Sequence, residues 1–371
     1  GATTYGYGGP DRVILSGNPD HRNTDWTSGH QDPTYFPDLG YDQVGSSSAA
    51  IMGYARVGEY LAIIKEPDGQ DNTVFFRSAA LSEDEVIFPK RQAIVGIGMA
   101  AKNTVAVVDD EPLFLSPSGV YAITSNALTA ERTVQNRSWY VDNVLREEEM
   151  SGAVAASWDN RYFLAVGGRA YLLDGNQDKT YKDRTNGDFV YECYQWENIP
   201  AVCLLSKDRD LYFGSADGKV CKFNLDIDNM TRYSDGGALA GKFVEGGAAI
   251  VAQWATKADD DGDFMTRKVL LKQLSGVQIK PYTRSGVDVL FRTDADFGIF
   301  AIHADMDIFD WEDIDFSRFS FNSNDAPQVV PFRTKKKNYI TLQIIVRNSA
   351  VNEGFGVLGI VKRFVRGKPV K

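Results

Sequence analysis

The segment "LFLSPSGVYAI", residues 113–123, decides how this chain is read. An apolar run, a short Ser-Pro-Ser-Gly turn and a second apolar run make a hairpin, with Gly119 able to supply the positive φ that tight turns demand. The same order returns in "LYFGSADGKVCKF", residues 211–223, where Gly218 holds the turn. Paired apolar runs also stand at 60–79, 104–123, 160–175 and 210–224. Each reads as two strands of about five residues around a short polar or glycine-bearing turn. Their recurrence every ~40 to 55 residues is the period of a propeller blade, a four-stranded sheet repeated around an axis.

Helical signals are few. "SEDEVIF" (82–88) and "VDNVLREEEMSGA" (141–153) are each expected to form a turn or two of helix, the second with Asp142 as N-cap. Neither is long enough to anchor a helical domain, so the fold is expected to be all-β. The glycine-rich stretch "TRYSDGGALAGKFVEGG" (231–247) then separates two regimes. Beyond it the runs lengthen, at 248–257, 267–283, 287–294, 339–349 and 355–367. Alternation in "VDVLFRT" (287–293) and "ITLQIIV" (340–346) marks sheets with one solvated face. The expected organisation is a β-propeller-like domain over 1–235 and a β-sandwich or barrel-like platform domain over 236–371.

Composition narrows the function. The 371 residues are 43% hydrophobic and 24% charged, ordinary for a globular chain, and no apolar run reaches the ~20 residues of a membrane helix. A secretory signal is not expected, since the opening "GATTYGYGGPDR" has neither a basic nor an apolar segment. The formal charge of -10 argues against a general nucleic-acid binder. Cys193, Cys203 and Cys221 make an odd count without a CxxC pair, which points to buried or incidental thiols and to synthesis in a reducing cytoplasm rather than to disulfides or zinc.

Individual motifs speak for or against specific chemistries. "ADDDGDF" (258–264) sets Asp259, Asp261 and Asp263 at alternate positions, as calcium loops do. An EF-hand wants glycine sixth and glutamate twelfth; counted from Asp259 those places hold Phe264 and Leu270, so an acidic hairpin tip is the better reading. A sialidase-type turn fails in "SADGKVCKF", where Gly218 comes one place early after Ser215 and Asp217. Neither a nucleophile elbow nor a P-loop occurs, and His21, His30 and His303 leave few arrangements for histidine catalysis. The basic stretches "RTKKKN" (333–338) and "KRFVRGKPVK" (362–371) are read as solvated edges first and as contacts for a negative surface second.

Several separated phrases agree with one another. "VILSGNPDHRNTDWTSGHQDPTYFPDLGYDQVG" (13–45), "LFLSPSGVYAI", "WDNRYFLAVGGRAYLLD" (158–174), "YECYQWENIPA" (191–201) and "LYFGSADGKVCKF" stand in the order seen in a phage virion family, which this chain resembles. Its members are tail nozzle, tail-tube or head-tail stabilisation proteins. The resemblance implies a β-propeller beside a sandwich platform, assembled into rings, often of six, around the channel through which phage DNA leaves. It implies partners in the chain itself and other tail or portal-neck proteins, no cofactor, no enzymatic activity, no membrane, and a place in the virion after synthesis in the host cytoplasm. Family members usually carry more chain before Ser16-Gly17-Asn18-Pro19, so the propeller is expected to lack strands at its start.

Three groups of residues follow as candidates. "SGHQDPTYFPDLG" (28–40) is read as a braced loop rather than a reactive cluster: Pro33 and Pro37 fix φ and push Asp32 and Phe36 towards extended backbone, while Tyr35 and Phe36 supply apolar area for the core or a neighbouring subunit. Asp259, Asp260, Asp261 and Asp263 form a candidate lumen or contact loop, where negative charge would keep DNA from sticking. Arg333, Lys335, Lys336 and Lys337 are candidates for pairing with an acidic neighbour in a head-to-tail ring. The alternative is a glycan-binding or glycan-hydrolysing propeller, which would need a central pocket with a carboxylate pair and aromatic platforms.

Overall fold

A computed structural model describes residues 5–8, 12–69, 71–82, 85–125, 132–177, 190–224, 234–235, 248–282, 285–294, 296–306, 326–332 and 336–370. The chain divides into two compact units, Gly1–Phe223 and Asn224–Lys371, a division that falls ahead of residue 236. Among the described residues the architecture is all-β, with only one four-residue α-helical turn, Asp142–Leu145, and two 3-10 turns.

The first unit is a series of antiparallel sheets, each built from a consecutive stretch of chain. Sheet one holds Tyr5–Gly8, Val13–Ser16, Thr24–Thr27 and Tyr41–Gln43; sheet two holds Ile51–Val57, Tyr60–Lys65, Asn72–Arg77 and Lys90–Val95. Sheet three holds Ala106–Val108, Glu111–Ser116, Gly119–Ser125 and Arg132–Asn136; sheet four holds Val154–Trp158, Arg161–Val166, Arg169–Asp174 and Glu192–Trp196. Sheet five has three strands, Ala201–Lys207, Asp210–Ser215 and Val220–Lys222.

Two-residue turns punctuate this series. Gly58-Glu59, Asp109-Asp110, Asp159-Asn160 and Asp208-Arg209 each join the first two strands of a sheet, one about every fifty residues. Both residues of the second and third turns have positive φ (54° and 63°, then 49° and 57°), the type I′ geometry that matches strand twist and that Asp and Asn tolerate. This corrects the two-strand reading of 104–123, which holds three strands, because Asp109-Asp110 is a turn in its own right. Neighbouring turns are also tied together. Asn160 Oδ1 accepts from the Asp109 backbone N at 2.9 Å, and Trp158 Nε1 donates to the Arg209 carbonyl at 2.8 Å.

Unbroken apolar runs follow from packing on both faces. In Arg161–Val166, Tyr162 and Leu164 point to a core shared with Leu113, Leu115 and Val120 of sheet three. Phe163 and Ala165, one residue out of phase, pack with Leu204, Leu211 and Phe223 around sheet five. Sheets two and three share Ile64, Val74, Phe76, Phe114 and Ile123. Each such side chain removed from water contributes ~1.5–3 kcal/mol.

Two local expectations are overturned. Glu85–Ile87, expected to be helical, is a strand paired with Ala80–Ser82, because Val86 and Ile87 are β-formers that find a partner across a short connection. Asp142 is not an N-cap: Val141 holds that position without a side-chain cap, while the Asp142 carboxylate accepts from Ser138 Oγ and Asn136 Nδ2.

The second unit has three larger sheets. One holds Ala252–Ala255, Leu342–Asn348, Ser285–Thr293 and Asp296–Met306; another holds Lys337–Tyr339, Thr266–Leu270 and Phe364–Pro369; the third holds Gln328–Pro331, Gly276–Pro281 and Phe355–Val361. All three contribute to one core through Leu270, Ile279, Val289, Phe291, Val330, Tyr339 and Ile344, an arrangement compatible with a sandwich. Ser285–Thr293 alternates between buried positions and half-buried or exposed ones, as its sequence pattern predicts.

Candidate functional site

The loop 28–40 leaves sheet one after Thr27 and returns at Tyr41. Its shape comes from internal hydrogen bonds: Gly29 N donates to Tyr35 O at 2.8 Å, Asp32 N to Gly29 O at 3.3 Å, and Gly40 N to Pro37 O at 2.9 Å. Asp32 Oδ1 accepts from Thr34 N and Thr34 Oγ1 at 3.0 and 2.7 Å, and these bonds hold its carboxyl below the usual range. The loop places Phe36 and Pro37 half-buried and leaves Asp32, Pro33 and Tyr35 exposed. Tyr35 is 59% exposed, and its ring edge lies where a Cβ on Gly29 would come within 3.1 Å. With Leu39 and Tyr41 also outward, the loop presents aromatic and aliphatic surface rather than a set of converging acids and bases.

Beside the loop, between sheets one and two, lies a charged cluster that the sequence reading missed. Asp25 of strand Thr24–Thr27 and Arg77 of strand Asn72–Arg77 form a buried ion pair at 3.0 Å. Arg77 also reaches Asp42 at 2.6 Å, and Lys90 reaches Asp42 at 3.1 Å. Burial outweighs the neighbouring guanidinium and pushes the Asp25 carboxyl up to about 6. Lys65, buried nearby in the same sheet face, donates to the carbonyls of Val44 and Ser46 at 2.7 and 2.6 Å, and its burial lowers its pKa. The available signal was parity: Arg77 shares a strand face with Phe75, so an apolar neighbour on one side implied a buried guanidinium needing a partner.

The acidic loop in the second unit is also differently made from its expectation. Its flanking strands do not pair with each other: Ala252–Ala255 pairs with Leu342–Asn348, and Thr266–Leu270 pairs with Lys337–Tyr339 and Phe364–Pro369. The segment is therefore a link between two sheets, not a hairpin tip. Lys362 reaches Asp259 and Asp261, each at 2.7 Å, and Arg366 reaches Asp263 at 3.4 Å. Asp260 Oδ1 accepts from Gly262 N at 3.0 Å. The acidic loop and the basic chain end, read from sequence as separate features, are matched to each other, which cancels much of the negative charge the loop would present.

Of the basic candidates, Arg333 and Lys335 lie outside the described residues. Lys336 is 8% exposed, packed within its own unit, while Lys337 is exposed on a strand opposite Val269. His21 packs edge-on to Trp26 at 6.2 Å, and His303 lies 2.7 Å from Asp288 in the other unit. The Cys193 thiol is pushed up to about 12 by burial, the opposite of a reactive thiolate. Among the described residues no group of three or more His, Cys, Asp or Glu is placed to hold a metal, and no helix is long and apolar enough to cross a membrane.

A second exposed aromatic feature went unread: Trp139 and Tyr140, 59% and 60% exposed, project from a turn whose flanking Arg137, Ser138 and Asp142 are buried. Arg137 pairs with Glu111 at 2.9 Å there.

No protein-family model matches the chain, and no curated protein matches it. Among solved structures, a functionally unknown protein from Desulfotomaculum acetoxidans is similar at 12% identity and a TM-score of 0.30, over 60% of this chain and 68% of that one.

Proposed function

We propose that this chain is a structural phage virion protein of the tail or head-tail neck, a nozzle or stabilisation ring that works by assembling around the DNA exit channel. In this reading the five sheets of the first unit are propeller blades and the second unit is the sandwich platform. The observation that carries it is where the family-like phrases fall. "LFLSPSGVYAI" spans the second and third strands of sheet three, "WDNRYFLAVGGRAYLLD" the hairpins of sheet four, and "LYFGSADGKVCKF" the second and third strands of sheet five. The phrases thus share a structural register as well as an order.

The physical role is passive. A ring wall with net negative charge repels phosphates and lets the polymer slide, and the chain carries a formal -10. Partners are further copies, in a ring of about six by resemblance to the family, and neighbouring tail or portal-neck proteins. Size-exclusion chromatography with light scattering, followed by negative-stain imaging alone and with tail or neck proteins, tests the reading. Rings with a hole wide enough for duplex DNA are expected. A strict monomer under all of these conditions that binds or cleaves sugars would overturn the proposal in favour of a glycan-directed protein.

A further inference from the structure

Sheets one and two meet through a face that is apolar in one part and polar in another. Val44, Ile51, Ile63 and Phe75 form the apolar part. In sheet one Ser16 stands opposite Asp25, which stands opposite Asp42, so the three side chains share a face. In sheet two Tyr54 stands opposite Ile63, which stands opposite Phe75, and Arg77 follows on the same face two residues later. Arg77 gives its two terminal nitrogens to Asp25 and Asp42. Its Nε, also buried, has no hydrogen-bond partner among the described residues, and neither has the Ser16 Oγ nor the Tyr54 hydroxyl. These atoms belong to one neighbourhood. Burial, followed by the Asp25 carboxylate, raises the pKa of the Tyr54 hydroxyl, while Ser16 and Arg77 act on it in the opposite sense. Ser16 is thus close to that hydroxyl without a direct hydrogen bond to it.

Buried donors and acceptors in folded proteins are matched, by protein groups or by ordered water. We propose that an internal water molecule sits between sheets one and two, accepting from Arg77 Nε and hydrogen-bonded to the hydroxyls of Tyr54 and Ser16. The choice of occupant follows from charge and from what each atom can do. The Arg77 guanidinium repels a cation, and the Asp25 and Asp42 carboxylates beside it repel an anion. What remains is a small neutral molecule that both donates and accepts. Nε can only donate, whereas each hydroxyl does either, so one water oxygen and its two protons can serve all three. Three convergent partners is also the ordinary number for a buried water. The polar part of the joint then becomes one hydrogen-bonded unit held from both sides, by Ser16 from sheet one and by Tyr54 and Arg77 from sheet two. The joints among sheets three, four and five are apolar instead. This site does not depend on whether the chain assembles.

A crystal structure of the full chain, at a resolution that shows ordered water, is the direct test. An isolated peak about 2.7–3.2 Å from Arg77 Nε and from both hydroxyl oxygens is expected. Direct contact between the Tyr54 and Ser16 hydroxyls, with no peak at Nε, overturns the proposal. Oxygen-17 relaxation dispersion, which counts long-lived internal waters in solution, supplies a second measurement. Tyr54→Phe combined with Ser16→Ala removes only the two hydroxyls, and so two of the three partners. This double variant, checked for folding by circular dichroism, is expected to hold one long-lived water fewer than wild type. An equal count in the folded variant overturns the proposal as well. The first measurement needs no variant, so it decides the matter even where the double variant does not fold.

Discussion

Arg77 donates to both carboxylate oxygens of Asp25, at 3.1 and 3.0 Å, where solvent reaches 2% of one side chain and none of the other. The pair joins the first two sheets by charge at a place where the later sheets are joined by apolar side chains. Removing one member leaves the other buried and unmatched. Arg77→Leu should therefore cost about 3–5 kcal/mol in urea denaturation, whereas Asp25→Leu with Arg77→Leu should recover most of it. If the double variant is as unstable as the single one, the pair is not what costs the stability.

The same carboxyl gives a pH signature. Its folded pKa, about 6, stands above the ordinary 3.8, so between these values the folded state holds a proton that the unfolded state has released. Stability from this group is therefore greatest at low pH and falls as pH rises from about 4 to about 6, by about 3 kcal/mol, then levels off. Asp259 and Asp263 are shifted downward, so their loss of stability on acidification falls below this window. Urea midpoints measured across pH 4 to 7 should show the decline in wild type and lose it in Asp25→Asn.

Asn160 serves two purposes at once. Its φ of +57° suits the I′ turn, and its side chain accepts from Asp109 N in the preceding sheet at 2.9 Å. Asn160→Ala removes both and should lower stability by about 1–2 kcal/mol; Asn160→Gly should restore the backbone part only. Equal losses from the two would show that the turn conformation is not contributing.

Tyr35 separates folding from assembly. At 59% exposure its removal should shift stability by no more than about 0.5 kcal/mol, yet it lies beside Leu39 and Tyr41 on an outward surface. Tyr35→Ala should melt like wild type while weakening assembly into rings or attachment to neck proteins, measured by imaging and co-purification. His30→Ala should leave both unchanged.

Local sequence carried the strands and not their partners. The alternation of 287–293 announces a half-covered strand because side-chain direction is a property of the strand itself. The runs in 160–175 announce strands covered on both faces for the same reason. Which strands pair is decided over long separations: Lys362 and Asp259 lie 103 residues apart, and nothing in "ADDDGDF" or "KRFVRG" alone foretells the other. At the same loop, adjacency in sequence suggests a hairpin that the register excludes. A carboxylate near a helix start suits a cap, but Ser138 and Asn136 claim that of Asp142 first. The Asp25–Arg77 pair stayed hidden because charges in apolar strands have no local signature of their partner.

The link between the acidic loop and the chain end can be tested by removing its centre. Lys362 is 17% exposed and reaches Asp259 and Asp261, the latter only 9% exposed. Lys362→Met keeps most of the side-chain bulk, takes the cation from Asp261 and leaves Asp259 with only the more distant Lys257 at 3.9 Å, which should cost about 1–3 kcal/mol. Its hydrogen bond is the leading cause that holds the Asp259 carboxyl below the usual range. A lowered carboxyl contributes stability above its ordinary pKa and loses it as pH falls further, so the deficit of Lys362→Met should shrink on acidification below about pH 4. A double-mutant cycle with Asp259→Asn should return a coupling of about 1 kcal/mol, and additive losses would show that loop and tail are held together by something else.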